Sequence, residues 1–82
     1  MYSRMHIRLN NVKECEEFVS ILNSDKSTTK WVLESEDAHY RANARSLMGT
    51  LYFSADHNDD MYLVNESTGN ADFPGALDKF RI

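Results

Sequence analysis

The chain is short of almost everything that would give its function away cheaply. It has one cysteine, Cys15, so no intramolecular disulfide can form. A zinc site would need further ligands from three histidines that lie far apart, and no CxxC or HxxxH spacing occurs. Basic residues are outnumbered, nine against thirteen acidic, and never form a run. The net charge of −4 disfavours nucleic acid, whose binding depends on clustered Lys and Arg. No apolar run approaches the ~20 residues of a membrane span. The opening MYSRMHIRL has neither a long apolar stretch nor a small-residue cleavage site. The expectation is therefore a cytoplasmic protein without membrane, metal or cofactor. For such a chain the sequon Asn65-Glu66-Ser67 has no consequence.

What is present suits one domain over residues 1–82: hydrophobic content is 41% and charged content 27%, ordinary for a globular fold. A chain this short buries only ~60–65% of its unfolded surface, so the core must be modest. Met5, Ile7 and Leu9 alternate with polar residues, as in a strand with one buried face. Asn11 stands three residues before Glu14, an N-cap and N3 pair. Val12, Cys15, Phe18, Val19 and Leu22 follow at helical spacing, opposite Lys13, Glu14, Glu16 and Glu17. The helix should end near Asn23, before the loop residues Ser24 to Thr28.

Trp31 to Leu33 predict a second strand. Glu34 to Asp37 read as a turn, and Ala38, Tyr40, Ala42 and Ala44 as the alternating residues of a third strand. A second helix from Ser46 carries Leu47, Met48 and Leu51 toward the core and stops before the polar stretch Asp56 to Asp60. Because neighbouring helical positions differ by ~100°, one of Leu47 and Met48 should be buried and the other exposed. Met61 to Val64 predict a fourth strand, closed by Ser67 to Asn70. Asp72 can cap a last helix carrying Phe73, Leu77 and Phe80, with Pro74 near its start. The order βαββαβα implies an α+β fold: a four-stranded antiparallel sheet with three helices on one face. A ferredoxin-like split βαβ has the same order and is the alternative.

His6 and His39 fall on outward strand positions and read as solvated, or as a metal or pH-sensing pair if their strands adjoin. His57 lies in an acidic loop without calcium-loop spacing. No catalytic triad, paired-carboxylate cleft or Gly-rich phosphate loop is visible, so the reading is not an enzyme.

The stretch ANARSLMGTL, after a hairpin and before a last strand, is similar to the second-helix region of HPr. That family comprises the histidine-containing phosphocarriers of the bacterial sugar phosphotransferase system. EEFVSIL likewise resembles its first helix. The resemblance implies an HPr-like open-faced β-sandwich and partners among phosphotransferase-system proteins or an HPr-type kinase. It implies that Ser46 is a regulatory phosphorylation site and that Leu47 and Met48 belong to a docking surface, with Arg45 adding charge. The family's phosphoryl-accepting histidine is missing. Matching Phe18-Val19 to the family pair puts Asn11 in the histidine slot and Lys13 in the arginine slot. An amide cannot relay a phosphoryl group. Cys15, the only nucleophile nearby, reads as an apolar helix residue. The expected function is a non-phosphocarrying regulatory or interaction module, with Asn11, Lys13, Arg45, Leu47 and Met48 as partner-binding residues. The alternative is a small ligand-binding regulatory domain of ferredoxin-like topology, unrelated to sugar transport. The two differ in strand order: HPr-like sheets place the fourth strand between the first and second, ferredoxin-like sheets place the first and third in the middle.

Overall fold

A computed structural model describes residues 3–24, 29–67 and 73–82. In chain order the elements are β1 (Arg4–Ile7), α1 (Val12–Ser24), β2 (Trp31–Glu34), β3 (Arg41–Asn43), α2 (Leu47–His57), β4 (Met61–Asn65) and a terminal 3-10 helix (Gly75–Phe80). The strands form one antiparallel sheet in the order β1-β4-β2-β3. The fourth strand therefore lies between the first and second, and the first and third are the edges. The ferredoxin-like arrangement, with β1 and β3 central, is not the one this chain adopts.

The register divides the sheet into two unlike faces. Met5, Ile7, Trp31, Leu33, Met61 and Leu63 point to the helical layer, where they meet Phe18 and Leu22 of α1 and Phe53 of α2. Cys15 belongs to this core, as its helical spacing implies, and is 2% exposed. Phe80 of the 3-10 helix packs edge-on against Phe18, ring centres 6.0 Å apart. Leu77 and Phe80, three residues apart, suit the three-residue turn of that helix. The expected cap at Asp72 and the loop residues Asp25 to Thr28 and Thr68 to Asn70 lie outside the described residues.

On the opposite face Val64 and Val32 are also buried, at 0% and 6% exposure. Their neighbours explain this, because a chain of ion pairs lies across that face. Arg4 reaches Glu34 at 3.3 Å, Arg41 bridges Glu34 and Glu66, and Lys30 reaches Glu66 at 2.9 Å. The stems of these long side chains cover apolar surface while their heads stay wet. Arg4 also sits 4.3 Å over the Tyr62 ring, and His6 stacks on Tyr62 at 4.4 Å.

Several boundaries differ from the sequence expectation. β3 is only three residues, because Ser35 builds a tight hairpin end in place of a longer strand. The buried Ser35 hydroxyl donates to Asp37 at 2.6 Å and accepts from the Tyr40 amide at 3.1 Å. Ala38 takes the left-handed conformation there, φ 59°. α2 runs on through Asp56 to His57, so His57 ends a helix, its ring between Phe53 and Tyr40 at 4.8 and 4.9 Å. His39 precedes β3, and β1 lies on the far edge of the sheet, so His6 and His39 make no pair. No group of three metal-ligating side chains occurs among the described residues. Among those residues no helix is long and apolar enough to cross a membrane.

Candidate functional site

The two helices start from side-chain caps, and the expected site residues cluster at those starts. Asn11 precedes α1, and its Oδ1 accepts from the Glu14 amide at 2.8 Å. Glu14 turns back so that its Oε1 accepts from the Asn10 amide at 2.9 Å. The expected N-cap and N3 pair forms, with the return bond one residue earlier than in the standard capping box. Val12 and Lys13 are exposed here, Val12 at 58%, so Val12 leaves the apolar stripe in which its spacing placed it.

Ser46 caps α2. Its backbone is extended, φ −93° and ψ 121°, and its hydroxyl accepts from the Gly49 amide at 3.1 Å. The turn before it is held by Asn43, whose Oδ1 accepts from the Arg45 amide and whose carbonyl accepts from the Ser46 amide. Arg45 does not spread over the surface beside Ser46. Its guanidinium donates to the Leu22 carbonyl at 2.6 Å and to the Thr29 carbonyl at 3.2 and 3.1 Å. Leu22 carries one of the last carbonyls of α1, which have no acceptor role inside the helix. Arg45 thus satisfies the end of α1 with a charge of the sign its dipole favours.

Leu47 and Met48 correct the expectation that one of them is buried. Both are exposed, at 37% and 62%. The inward side of α2 is carried instead by Thr50 and Phe53, with Leu51 half-buried. Thr50 is accommodated because its hydroxyl donates to the Ala44 carbonyl at 3.4 Å. Leu47 and Met48 therefore form an uncovered apolar pair that begins at the capped serine, with Leu51 beside it packed partly against the core.

α1 and α2 run antiparallel. Arg45 ties the start of α2 to the end of α1, while Cys15 Sγ in the first turns of α1 lies 3.4 Å from Ser54 Oγ, far along α2. Ser46 to Ser54 spans ~12 Å of helix. The expected residues thus fall into two groups, Arg45 to Met48 at one end and Asn11 and Lys13 at the other. A cavity of about 360 Å³, lined by Asn11, Val12, Cys15, Leu51 and Ser54 among others, marks the second end and is joined to the pair by Leu51.

Sequence reasoning missed a second concave region, of about 650 Å³, on the β2–β3 side of the sheet. Its charged residues are Lys30, Arg41, Arg45 and Glu66, from separate segments, and strand alternation hinted only that Lys30, Arg41 and Glu66 share a face. Comparison with protein-family models, with curated proteins and with solved structures returns no match for this chain.

Proposed function

We propose that the chain is an HPr-like regulatory or interaction module that carries no phosphoryl group on its first helix. The observation that carries this reading is the sheet order β1-β4-β2-β3 beneath one layer of helices. It is the order the resemblance of ANARSLMGTL implies. The exposed pair of Leu47 and Met48, starting at the capped Ser46, supports a docking role. Partners would be phosphotransferase-system proteins or an HPr-type kinase, which makes the setting the bacterial cytoplasm.

The chemistry of the two helix starts supports the division of roles. A phosphate on Ser46 would meet the free amides and positive dipole end of α2, which has no acidic residue in its first turn. Asn11 offers neither a nucleophile nor an acid–base group at the start of α1. Phosphoenolpyruvate with Enzyme I is expected to add no phosphate. ATP with an HPr-type kinase is expected to add one, lost in Ser46→Ala and kept in Ser54→Ala. A phosphohistidine in the first reaction, or an unmodified serine in the second, overturns the corresponding half of the reading.

A further inference from the structure

The sheet has two outer edges, and the chain treats them differently. Along β1 the C-terminal residues cover the edge. Ile82 donates its amide to the His6 carbonyl at 3.0 Å, Arg8 donates to the Phe80 carbonyl at 2.9 Å, and Arg81 bridges Ile7. Along β3 no such cover exists among the described residues. The Ala44 amide donates to the Trp31 carbonyl and the Ser35 amide to the Tyr40 carbonyl. In the β2–β3 register, residues 40, 42 and 44 therefore turn their backbone groups toward β2, and Arg41 and Asn43 turn theirs outward. The Asn43 carbonyl accepts from the Ser46 amide, which leaves the Arg41 N–H and C=O and the Asn43 N–H open. In antiparallel pairing, Arg41 can exchange both of its bonds with one residue of an added strand.

A groove of about 270 Å³ runs beside this edge. One wall is a single face of α2, carried by Gly49, Tyr52, Phe53 and Asp56 at helical spacing. Tyr40 and Ala42, which alternate to the helical side of the sheet, form the other wall. Tyr40 and Tyr52 leave 55% and 67% of their surface uncovered there. Gly49 lies by Asn43, where a Cβ would stand 3.4 Å from the carbonyl, and His57 lies by Tyr40, ring centres 4.9 Å apart. β3 and α2 thus run in opposite directions along the groove. Asp56, at the Tyr40 end, is exposed and makes no ion pair among the described residues.

We propose that the β3 edge and this groove take an extended peptide segment of a partner protein, added antiparallel as a further strand. Unpaired backbone groups call for a strand, and the groove selects its side chains. An apolar residue stands opposite Ala42, where Gly49 leaves room. Two residues later a basic residue stands opposite Tyr40, on the side where Asp56 waits without a cation. A second copy of β3 is the poorer occupant, because it brings only Tyr40 and Ala42 to the groove side and no cation. This inference does not depend on the function proposed above.

The peptide Thr-Leu-Thr-Lys-Thr, acetylated and amidated, is titrated into the full chain while backbone amides are followed by heteronuclear NMR. The expected result is a saturable shift of the Arg41 and Asn43 amides with a Kd below about 1 mM. Proline for the central Thr removes the donor that faces Arg41 and should weaken binding at least ~10-fold. Glu for Lys should weaken it ~5-fold, and Asp56→Asn should erase that difference. Tyr52→Ala, at a position exposed enough to keep the fold, should weaken binding ~10-fold, and Leu47→Ala should not. No saturable shift up to about 10 mM, equal affinity for the proline peptide, or a Lys preference that survives Asp56→Asn overturns the proposal. So does unchanged affinity in Tyr52→Ala or weakened affinity in Leu47→Ala. Shifts at Arg41 and Asn43 that follow chain concentration without peptide name a second copy as the occupant and overturn it as well.

Discussion

Ser46 has a structural task whatever else it does, and that task has a measurable size. Its hydroxyl satisfies the Gly49 amide at 3.1 Å, one of four N–H groups that the start of α2 leaves without a helical partner. The site is half-buried, so water replaces the hydroxyl only in part. Ser46→Ala should cost about 1 kcal/mol. In a domain this small, a loss of that size lowers the melting temperature by ~4–8 °C. Ser46→Asp keeps an acceptor at the cap and adds a negative charge at the positive end of a helix whose first turn has none. It should recover the cap and add ~0.3–1 kcal/mol, and the added part should shrink in high salt. Thermal melts followed by circular dichroism, at low and high salt, measure all three forms. If Ser46→Ala melts with the parent, or Ser46→Asp is no more stable than Ser46→Ala, the hydroxyl is not working as a cap. The electrostatic argument for a phosphate there then fails as well.

Ala38 holds φ 59°, so Ala38→Gly should stabilise the hairpin by about 0.5–1 kcal/mol in urea unfolding, while a loss of stability would show the turn is unstrained. A Cβ on Gly49 would meet nothing closer than the Asn43 carbonyl at 3.4 Å, so Gly49→Ala should gain ~0.5–1 kcal/mol from helix propensity. Arg45→Lys should destabilise by ~2 kcal/mol despite keeping the charge, because an ammonium cannot span the Leu22 and Thr29 carbonyls as the planar guanidinium does. The Ser35 hydroxyl and then the His39 amide hold the Asp37 carboxyl below its ordinary 3.8. A depressed folded value adds stability above pH 3.8 that is lost as pH falls through the lower folded value. The protection of the His39 amide, taken relative to its intrinsic exchange rate at each pH, should therefore fall on acidification below pH 3.8 in the parent and lose that dependence in Asp37→Asn.

β1 and α1 were legible because their residues obey one period each. β1 alternates, α1 places Cys15, Phe18, Val19 and Leu22 on one face, and the burial pattern follows both. α2 was misread because the apolar pair at its start is not on its buried side. Leu47 and Met48 face solvent, whereas Thr50 goes inward and spends its hydroxyl on the Ala44 carbonyl. That acceptor is set by the turn at Asn43 to Ser46, which no periodicity encodes. The open sheet face was illegible for a related reason. Val32 and Val64 are buried by charged stems from Lys30, Arg41 and Arg4, and the pairing of those stems depends on strand order. The cavity there inherits the same obscurity, since its charged residues meet only after β2, β3 and β4 have been placed.

On the HPr-like reading, the exchange at the start of α1 is more than the removal of one reactive group. Asn is among the best N-cap residues, and Asn11 Oδ1 satisfies the Glu14 amide directly. The Asn11 carbonyl then accepts from Cys15 at 3.1 Å, so the first helical turn is closed on itself. Glu14 folds back onto the Asn10 amide, which brings a carboxylate into the region where a phosphate at this helix start would sit. That carboxylate already draws on the positive end of the α1 dipole, and its repulsion would oppose a phosphoryl group bearing a similar charge. Restoring a histidine by Asn11→His would therefore not by itself restore a phosphocarrier. The single variant is expected to lose the cap, destabilising α1 by ~1 kcal/mol, and to take no phosphate from Enzyme I. Asn11→His combined with Glu14→Gln removes the opposing charge. Phosphohistidine in the single variant would show that Glu14 does not guard this end of the helix.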